Sequence, residues 1–198
     1  MTLELLSALI LFAFVSSATP GPNNLMLMAS GANYGFARTI PHMLGISVGF
    51  GLMILLVGVG LVRVFDAYPV TYTALKIASV GYLSYLAWKI ATAAQIRQTD
   101  AKGRPMNFIQ AAAFQWVNPK AWAMALTALS VYAPTQTIAA FSGVAMVFAV
   151  VNLPTITFWT MLGQQMARIL TNTRRRTLFN WTMAALLVAS LYPVLASG

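Results

Sequence analysis

The sequence predicts an all-α integral membrane protein that crosses the bilayer six times. Hydrophobic residues make up 59% of its 198 residues and charged residues only 8%, whereas soluble domains carry about 25% charged residues. Uncharged stretches cover about three quarters of the chain. Because one span needs about 20 apolar residues, a chain of this length holds about six spans. We therefore expect a single transmembrane domain over residues 1–198, with no room for a separate soluble domain.

Turn and charge signals set the limits of the six predicted spans. The third span tolerates Lys76 and Lys89 near its ends, because long side chains can carry their ammonium groups toward the membrane interface. The uncharged stretch 121–167 is too long for one helix, and the turn residues at 132–136 divide it. The predicted spans are 3–31, 40–62, 69–91, 106–132, 136–164 and 178–196.

The distribution of positive charge predicts the orientation in the membrane. Arg63 and Lys76 lie on one side of the predicted spans, and nine Lys and Arg residues lie on the other. Positive residues in short loops stay in the cytoplasm, so we expect both termini to face away from it and the loop 94–105 to face it. The nine residues are Arg38, Lys89, Arg97, Lys102, Arg104, Arg168, Arg174, Arg175 and Arg176.

Proline motifs break the first and fourth predicted spans at corresponding places. The first break holds Pro20 and Pro22, which remove backbone donors, with Gly21 between them. The second break is the run 118–120. Three spans per half place the two halves in opposite orientations. The pattern therefore predicts two inverted three-helix repeats, about 1–93 and about 106–198, and paired broken helices indicate a transport site near the membrane midplane.

Broken backbone inside a bilayer implies a lined cavity, because unsatisfied backbone groups are not tolerated in hydrocarbon. Half-helix N-termini suit a carboxylate and freed carbonyls suit an ammonium, so an amino-acid zwitterion matches both poles. Proline kinks that only shape packing are the alternative. No catalytic or metal-binding residue is predicted. The candidate substrate-binding residues are Pro20, Gly21, Pro22, Asn23, Asn24, Gln115, Asn118, Pro119, Lys120 and Asn152.

Lys120 is the most informative single charge, because it lies beside the second break near the middle of its span. A lysine at that depth costs about 2.5–3.5 kcal/mol on insertion scales. Two roles are open: a cation that faces the cavity, as a carboxylate holder or a proton-responsive group, or a structural cap on carbonyls freed by Pro119. No acidic residue lies deep in any predicted span, so coupling through an intramembrane carboxylate is not evident.

Four glycines, one histidine and one asparagine give weaker signals. Gly31 and Gly35, like Gly45 and Gly49, have the spacing of close helix packing, which is the favoured interpretation. His42 has no ligand-like neighbours and is predicted to be interfacial. Asn152, near Pro154, either lines the cavity or makes an interhelical hydrogen bond.

Composition excludes several other function classes. A net charge of +9 suggests nucleic acid in a soluble protein, but here the charges lie between apolar segments and set topology. The chain has no cysteine and one histidine, which leaves no convincing nucleophile and base for an enzyme, and no cofactor is expected. An ion or metal transporter is the alternative function; it needs clustered carboxylates or histidines in the spans, and the sequence lacks them.

The sequence resembles the LysE/RhtB family of amino-acid exporters over essentially its whole length. The resemblance rests on the 19–24 and 118–120 motifs, on Gly35-Phe36 with Arg38, and on the run 81–83. The Pro-Gly-Pro-Asn-Asn form and the stretches 85–92 and 127–130 look closest to the cysteine/O-acetylserine exporter subgroup.

This resemblance implies a bacterial inner-membrane exporter with six spans and proton-driven antiport, and the charge distribution then predicts periplasmic termini. The implied substrates are small neutral amino acids or derivatives such as cysteine, O-acetylserine, threonine or homoserine, and the other partner is the lipid bilayer. Many relatives carry an acidic residue in the second span and another in the fifth, where this sequence has Phe50-Gly51 and Asn152. That departure puts a coupling scheme based on those acids in doubt.

Overall fold

The computed structural model describes residues 1–61, 63, 67–68, 70–96, 104–133 and 135–192, and for 94–96 it describes the backbone only. All regular structure within these ranges is helical, which confirms the predicted all-α class. The α-helices are α1 (Leu3–Ala18), α2 (Pro22–Tyr34), α3 (Phe36–Leu56), α4 (Val70–Ile96), α5 (Phe108–Phe114), α6 (Pro119–Tyr132), α7 (Ile138–Ile169) and α8 (Thr173–Ala189). A π-helical turn at Val57–Leu61 continues α3, and a 3₁₀ turn at Gln115–Val117 follows α5.

Two helical stretches among the described residues are long and apolar enough to cross a membrane. They are Phe36–Leu61 and Ile138–Ile169. Helices α1 and α2 meet the same criterion together, as one stretch bent by 54° at the predicted first break. Length and composition therefore agree with the membrane class that the sequence predicts.

Several helices extend beyond the predicted spans. Helix α4 continues to Ile96, α7 continues to Ile169, and α8 begins at Thr173, each about five residues outside the predicted limits. The early start of α8 has a local cause, since the Asn172 side chain accepts a hydrogen bond from the Arg175 backbone at 2.8 Å and caps the helix. Apolar length thus does not mark the helix ends.

The predicted turn between the fourth and fifth spans is present. Helix α6 ends at Tyr132 and α7 begins at Ile138. Thr137 caps α7, because its hydroxyl accepts from the Ala140 backbone at 3.3 Å. Three residues on which sequence arguments rest, Pro134 of this turn and Arg97 and Lys102 of the loop 94–105, lie outside the described residues.

Helices α2 and α7 pack with their backbones in direct contact. A Cβ added at Gly31 would collide with the carbonyl oxygen of Thr160, and one added at Gly163 would collide with the carbonyl oxygen of Met28. Only glycine allows this approach at both positions. The packing interpretation of Gly31 is confirmed.

The other predicted small-residue positions divide into two roles. Gly45 and Gly49 lie against α5, where an added Cβ would crowd Phe108 and Ala112, so the packing prediction is confirmed there. For Gly35 it is wrong. No atom lies within 4 Å of a Cβ built at Gly35, and its φ of 82° falls in the region that favours glycine. Gly35 forms the sharp turn between α2 and α3.

Two hydrophobic clusters fill the interior, and α3 and α7 contribute to both. The first cluster contains Ile46 and Ile156, and the second contains Phe50 and Phe148. Asn152 lies between Phe148 and Ile156 on α7, one helical turn from each. Asn152, a polar residue near the middle of α7, therefore lies between the two hydrophobic clusters.

His42 is not interfacial, which corrects the sequence prediction. Its side chain is 1% exposed, and Nδ1 lies 3.4 Å from the Ser30 hydroxyl on α2. Helix α3 begins at Phe36 rather than at 40, so His42 falls in its second turn. There the ring packs against α2 in the protein interior.

Candidate functional site

The first break exposes the carbonyl groups at the end of α1, and side chains from three other helices satisfy them. Asn24 of α2 donates from Nδ2 to the carbonyl oxygens of Ser17 at 2.8 Å and Thr19 at 2.9 Å. Trp159 of α7 donates from Nε1 to Ala18 at 3.2 Å. Because free carbonyls are costly away from water, these donors are what makes the bend tolerable.

Lys120 of α6 supplies the remaining donor at this first break. Its Nζ donates to the carbonyl oxygen of Thr19 at 2.5 Å and approaches that of Pro20 at 3.5 Å. The ammonium thus lies at the C-terminal end of α1, where the helix dipole favours a cation. An added Cβ at Gly21 would lie 2.6 Å from Lys120 Cδ, so the absence of a side chain there makes room for the lysine.

The second break is satisfied within its own segment. The Asn118 side chain accepts from the Lys120 backbone at 3.2 Å and caps α6, with Pro119 in the first turn. The Asn118 backbone donates to the carbonyl of Gln115 at 3.3 Å, the group that a helical residue 119 would otherwise bond. Lys120 therefore does not cap carbonyls freed by Pro119, as one sequence interpretation had it. It caps the other break.

A reciprocal pair of amides connects the two breaks. Asn23 Nδ2 donates to Gln115 Oε1 at 2.9 Å, and Gln115 Nε2 donates to Asn23 Oδ1 at 3.2 Å. Gln115 also donates to the carbonyl of Ala111 at 2.9 Å and is fully buried. The two broken helices, about a hundred residues apart in sequence, are in this way held in one place.

The ammonium of Lys120 has no carboxylate partner among the described residues. Glu4 is the one acidic residue that these ranges include. It lies in the first turn of α1, and 15 residues of helix rise separate it from Thr19, about 22 Å at 1.5 Å per residue. Carbonyl dipoles alone therefore face this half-buried cation.

A small cavity lies where the two breaks meet. It is about 30 Å³, roughly the room for two waters if one needs about 10–15 Å³. Seven predicted site residues line it, and the three prolines do not: Pro20, Pro22 and Pro119 shape the breaks instead. The predicted residues that line it are Gly21, Asn23, Asn24, Gln115, Asn118, Lys120 and Asn152.

Five lining residues were missed by sequence reasoning. Ser16, Ser17, Phe50, Ala121 and Met124 complete the wall. The serines carried a usable signal, since they are polar residues in an apolar span just before a break. The Ser17 hydroxyl is buried and has no hydrogen-bond partner among the described residues, which makes it available to a ligand.

Asn152 lines the cavity, as one of the two interpretations of the sequence predicted. Its carbonyl oxygen and Oδ1 accept from the Thr155 hydroxyl of the same helix, at 2.7 and 3.4 Å. Within the described ranges it makes no hydrogen bond to another helix. Its amide nitrogen thus remains available on the cavity wall.

Broken apolar helices around a polar, charged cavity define a membrane translocator. The family model described as LysE type translocator matches residues 14–193, and the chain belongs to this family. This confirms the resemblance seen in the sequence and makes the protein a transporter and not an enzyme.

Curated relatives cover almost the whole chain. It is 31% identical over 193 residues to the cysteine/O-acetylserine efflux proteins of Escherichia coli strain K12, Escherichia coli O9:H4 strain HS and Shigella sonnei strain Ss046. The match covers 95% of this chain and 96% of each relative. No solved structure matches the chain significantly.

Proposed function

We propose that this protein exports small neutral amino acids or their derivatives, such as cysteine, O-acetylserine, threonine or homoserine, across the bacterial inner membrane. The observation that carries the proposal is the Lys120 ammonium, which faces a cavity at the junction of two broken helices and meets no carboxylate among the described residues. The membership in the translocator family and the names of the relatives support the same substrate class.

The substrate carboxylate binds Lys120 in exchange for the carbonyls of the first break. Thr19 accepts from both Asn24 and Lys120, so its carbonyl keeps one donor when the ammonium turns to a ligand. Pro20 loses its only donor among the described residues, and the substrate ammonium replaces it. Both charges of a zwitterion are then paired, as a site without bulk water requires.

Substrate entry requires the helices to move. A cavity of about 30 Å³ holds water and not an amino acid. The bend at the first break is the natural hinge, because the carbonyl groups of Ser17, Ala18 and Thr19 depend on side chains of other helices for their partners. We assign this arrangement to a closed state of an alternating-access cycle.

Six spans in two inverted repeats describe the architecture best. The spans correspond to α1 with α2, α3, α4, α5 with α6, α7, and α8 in order. Each half then begins with a broken element, and the two halves are about 1–93 and about 106–198, joined by the loop 94–105. With an odd number of spans per half, the halves take opposite orientations.

The excess of positive charge supports periplasmic termini and a cytoplasmic loop 94–105. Reporter fusions near residue 135 and at residue 198, on the expected periplasmic side, test this orientation. Fusions near 102 and 175 test the expected cytoplasmic side. We expect periplasmic activity from the first pair alone. A cytoplasmic C-terminus would overturn the six-span arrangement.

Transport assays in proteoliposomes test the function itself. We expect the purified protein to move a labelled small neutral amino acid from a panel that includes cysteine, O-acetylserine and threonine. Export is driven by proton antiport, so dissipating the pH gradient should abolish accumulation. If none of the panel is transported by correctly oriented protein, the proposed function is wrong.

A further inference from the structure

A second cavity, separate from the one at the two breaks, lies between α2, α3, α4 and the segment 104–106. Its polar wall is formed by Ser30, Asn33, His42, Lys89 and Arg104. Exposure decreases along this wall, from Arg104, which is exposed, through the half-buried Lys89 to His42 at 1%. The cavity therefore extends from the protein surface to a buried imidazole.

The charges in this cavity favour an anion. Its lining contains two cations, Lys89 and Arg104, and no acidic residue. Glu4, the one acidic residue in the described part of the chain, lies in the first turn of α1 and does not line this cavity. The planar guanidinium of an arginine matches the geometry of a carboxylate, and the lysine adds a compact positive charge to the same cavity.

A buried polar group at the inner end of the cavity gives independent evidence for a ligand. His42 Nε2 is buried and has no hydrogen-bond partner among the described residues. Its other ring nitrogen faces the Ser30 hydroxyl at 3.4 Å. Buried polar atoms of this kind are rare in native proteins because each one costs free energy, so the unpartnered nitrogen marks a position at which a ligand can form a hydrogen bond.

Helix α2 connects this cavity to the central one. Asn23 lines the central cavity, and Met26, Ser30 and Asn33 line the second. Spacings of three, seven and ten residues place all four on one face of the helix. Asn23 and Ser30 are about 10 Å apart along the axis at 1.5 Å per residue. The two cavities thus lie along the same face of α2.

We propose that this cavity, which at about 40 Å³ has room for a carboxylate group and not for a whole amino acid, is an entry site. Lys89 and Arg104 bind the carboxylate there, and the amino acid reaches Lys120 after the helices move. This inference rests on the proposed export function. Both cations belong to the set whose charge supports a cytoplasmic location, the side from which an exporter takes its substrate. The competing explanation is that Lys89 and Arg104 only set the orientation of the protein in the membrane. The experiment must distinguish this role from substrate binding.

The test is the concentration dependence of transport by Lys89→Gln/Arg104→Gln in proteoliposomes of pure phosphatidylcholine. Loss of one charged hydrogen bond predicts that KM rises about tenfold or more, with kcat unchanged. The increase is expected only for substrate presented on the Arg104 side. Lys76→Gln, which removes a lysine from the other end of α4, is the matched control and should keep the wild-type KM.

Several results would overturn the inference. One is a wild-type KM in the double variant, and another is an equal change of KM from both sides. A third is an effect that appears only when phosphatidylglycerol is added, because the cavity would then hold a lipid headgroup. If the wild-type protein transports no amino acid, the proposed export function is wrong as well. If only the comparison of variants fails, the entry site is wrong and the proposed export function is unaffected.

We expect the double variant to keep the wild-type orientation, because seven of the nine positive residues remain. Protease access to a C-terminal tag checks this. If the double variant does not insert, His42→Leu provides the measurement without changing any charge. It removes the unpaired Nε2, so we expect KM to rise about threefold or more, on the same side only. A wild-type KM in that variant would overturn the inference.

Discussion

The two breaks differ in how their backbone groups are satisfied. At the first break, donors come from α2, α6 and α7, all of them side chains. At the second, the donors and acceptors come from the segment itself, through Asn118 and the carbonyl of Gln115. A break that depends on distant side chains can rearrange when one of them is recruited by a ligand. A break that is capped by its own residues keeps its conformation when a ligand binds. The second break is of this kind, and Lys120 lies in it.

This difference explains why the lysine can change partners at low cost. Thr19 retains Asn24 as a donor when Lys120 turns away, and the contact with Pro20 is long at 3.5 Å. A carboxylate carries a full negative charge where the carbonyl groups offer only dipoles, so it attracts the ammonium more strongly than the partners it replaces. The predictions below test this comparison, from the largest expected effect to the smallest.

Removal of the lysine should have the largest effect. Lys120→Met keeps the apolar stem and deletes the charge, and a lost charged hydrogen bond of about 1.5–3 kcal/mol weakens substrate binding by about ten- to a hundredfold. Lys120→Arg should restore activity only partly, because a planar guanidinium does not replace a compact ammonium. Export by inserted protein checks this, with Lys76→Met as the control. Equal export by Lys120→Met and Lys76→Met would contradict a role of Lys120 in substrate binding.

Removal of the caps should distinguish the two breaks in stability. Asn24→Leu leaves the Ser17 carbonyl without a donor among the described residues, which costs about 1–3 kcal/mol. Asn118→Ala removes an N-cap and costs about 0.5–2 kcal/mol. Thermal unfolding of the two variants in detergent measures both effects. We expect Asn24→Leu to unfold at the lower temperature, and the reverse order would show that the first break does not depend on the Asn24 side chain.

The amide pair between the breaks should show measurable coupling. Asn23→Leu and Gln115→Leu each remove one partner, and the double variant removes both. If the pair joins the breaks, the two effects on stability are not additive, with a coupling energy of about 1 kcal/mol. Additive effects would mean that the breaks are held together by packing alone.

A methyl group at Gly21 should have the smallest effect of this series. Gly21 has an extended backbone with φ of −173°, so alanine is not strained there. Its Cβ would nevertheless fall 2.6 Å from Lys120 Cδ and displace that flexible side chain. We expect export to fall a few-fold. Gly51→Ala is the matched control, because no atom lies within 4 Å of a Cβ at Gly51, and it should export as the wild type does.

Local physics made much of the fold predictable. Proline grouped with glycine or asparagine, at 20–22 and 118–119, predicted the positions of both breaks, and turn residues predicted the turn before α7. Proline alone would not have sufficed, because Pro41 and Pro154 lie inside continuous helices. Gly35 was misinterpreted because spacing alone does not distinguish a packing glycine from one with positive φ. His42 was misplaced because helix α3 begins earlier than the apolar stretch suggested.

The arrangement of the candidate site was less predictable. Sequence identified Lys120 and the 19–24 segment separately, but their contact joins residues 101 positions apart, and no local rule reports such a pair. Phe50 and Met124 line the cavity without any chemical signature. Their places depend on how α3 and α6 pack, which the one-dimensional pattern does not contain.

The most direct test of the central claim compares two ligands on two proteins. The affinity of cysteine and of its carboxamide, which keeps the ammonium and the size but lacks the negative charge, is measured on wild type and Lys120→Met. If Lys120 binds the carboxylate, the substitution weakens binding of cysteine by about ten- to a hundredfold and leaves the carboxamide unchanged within a few-fold. Equal losses for both ligands would contradict the account and make Lys120 a structural cap of the first break.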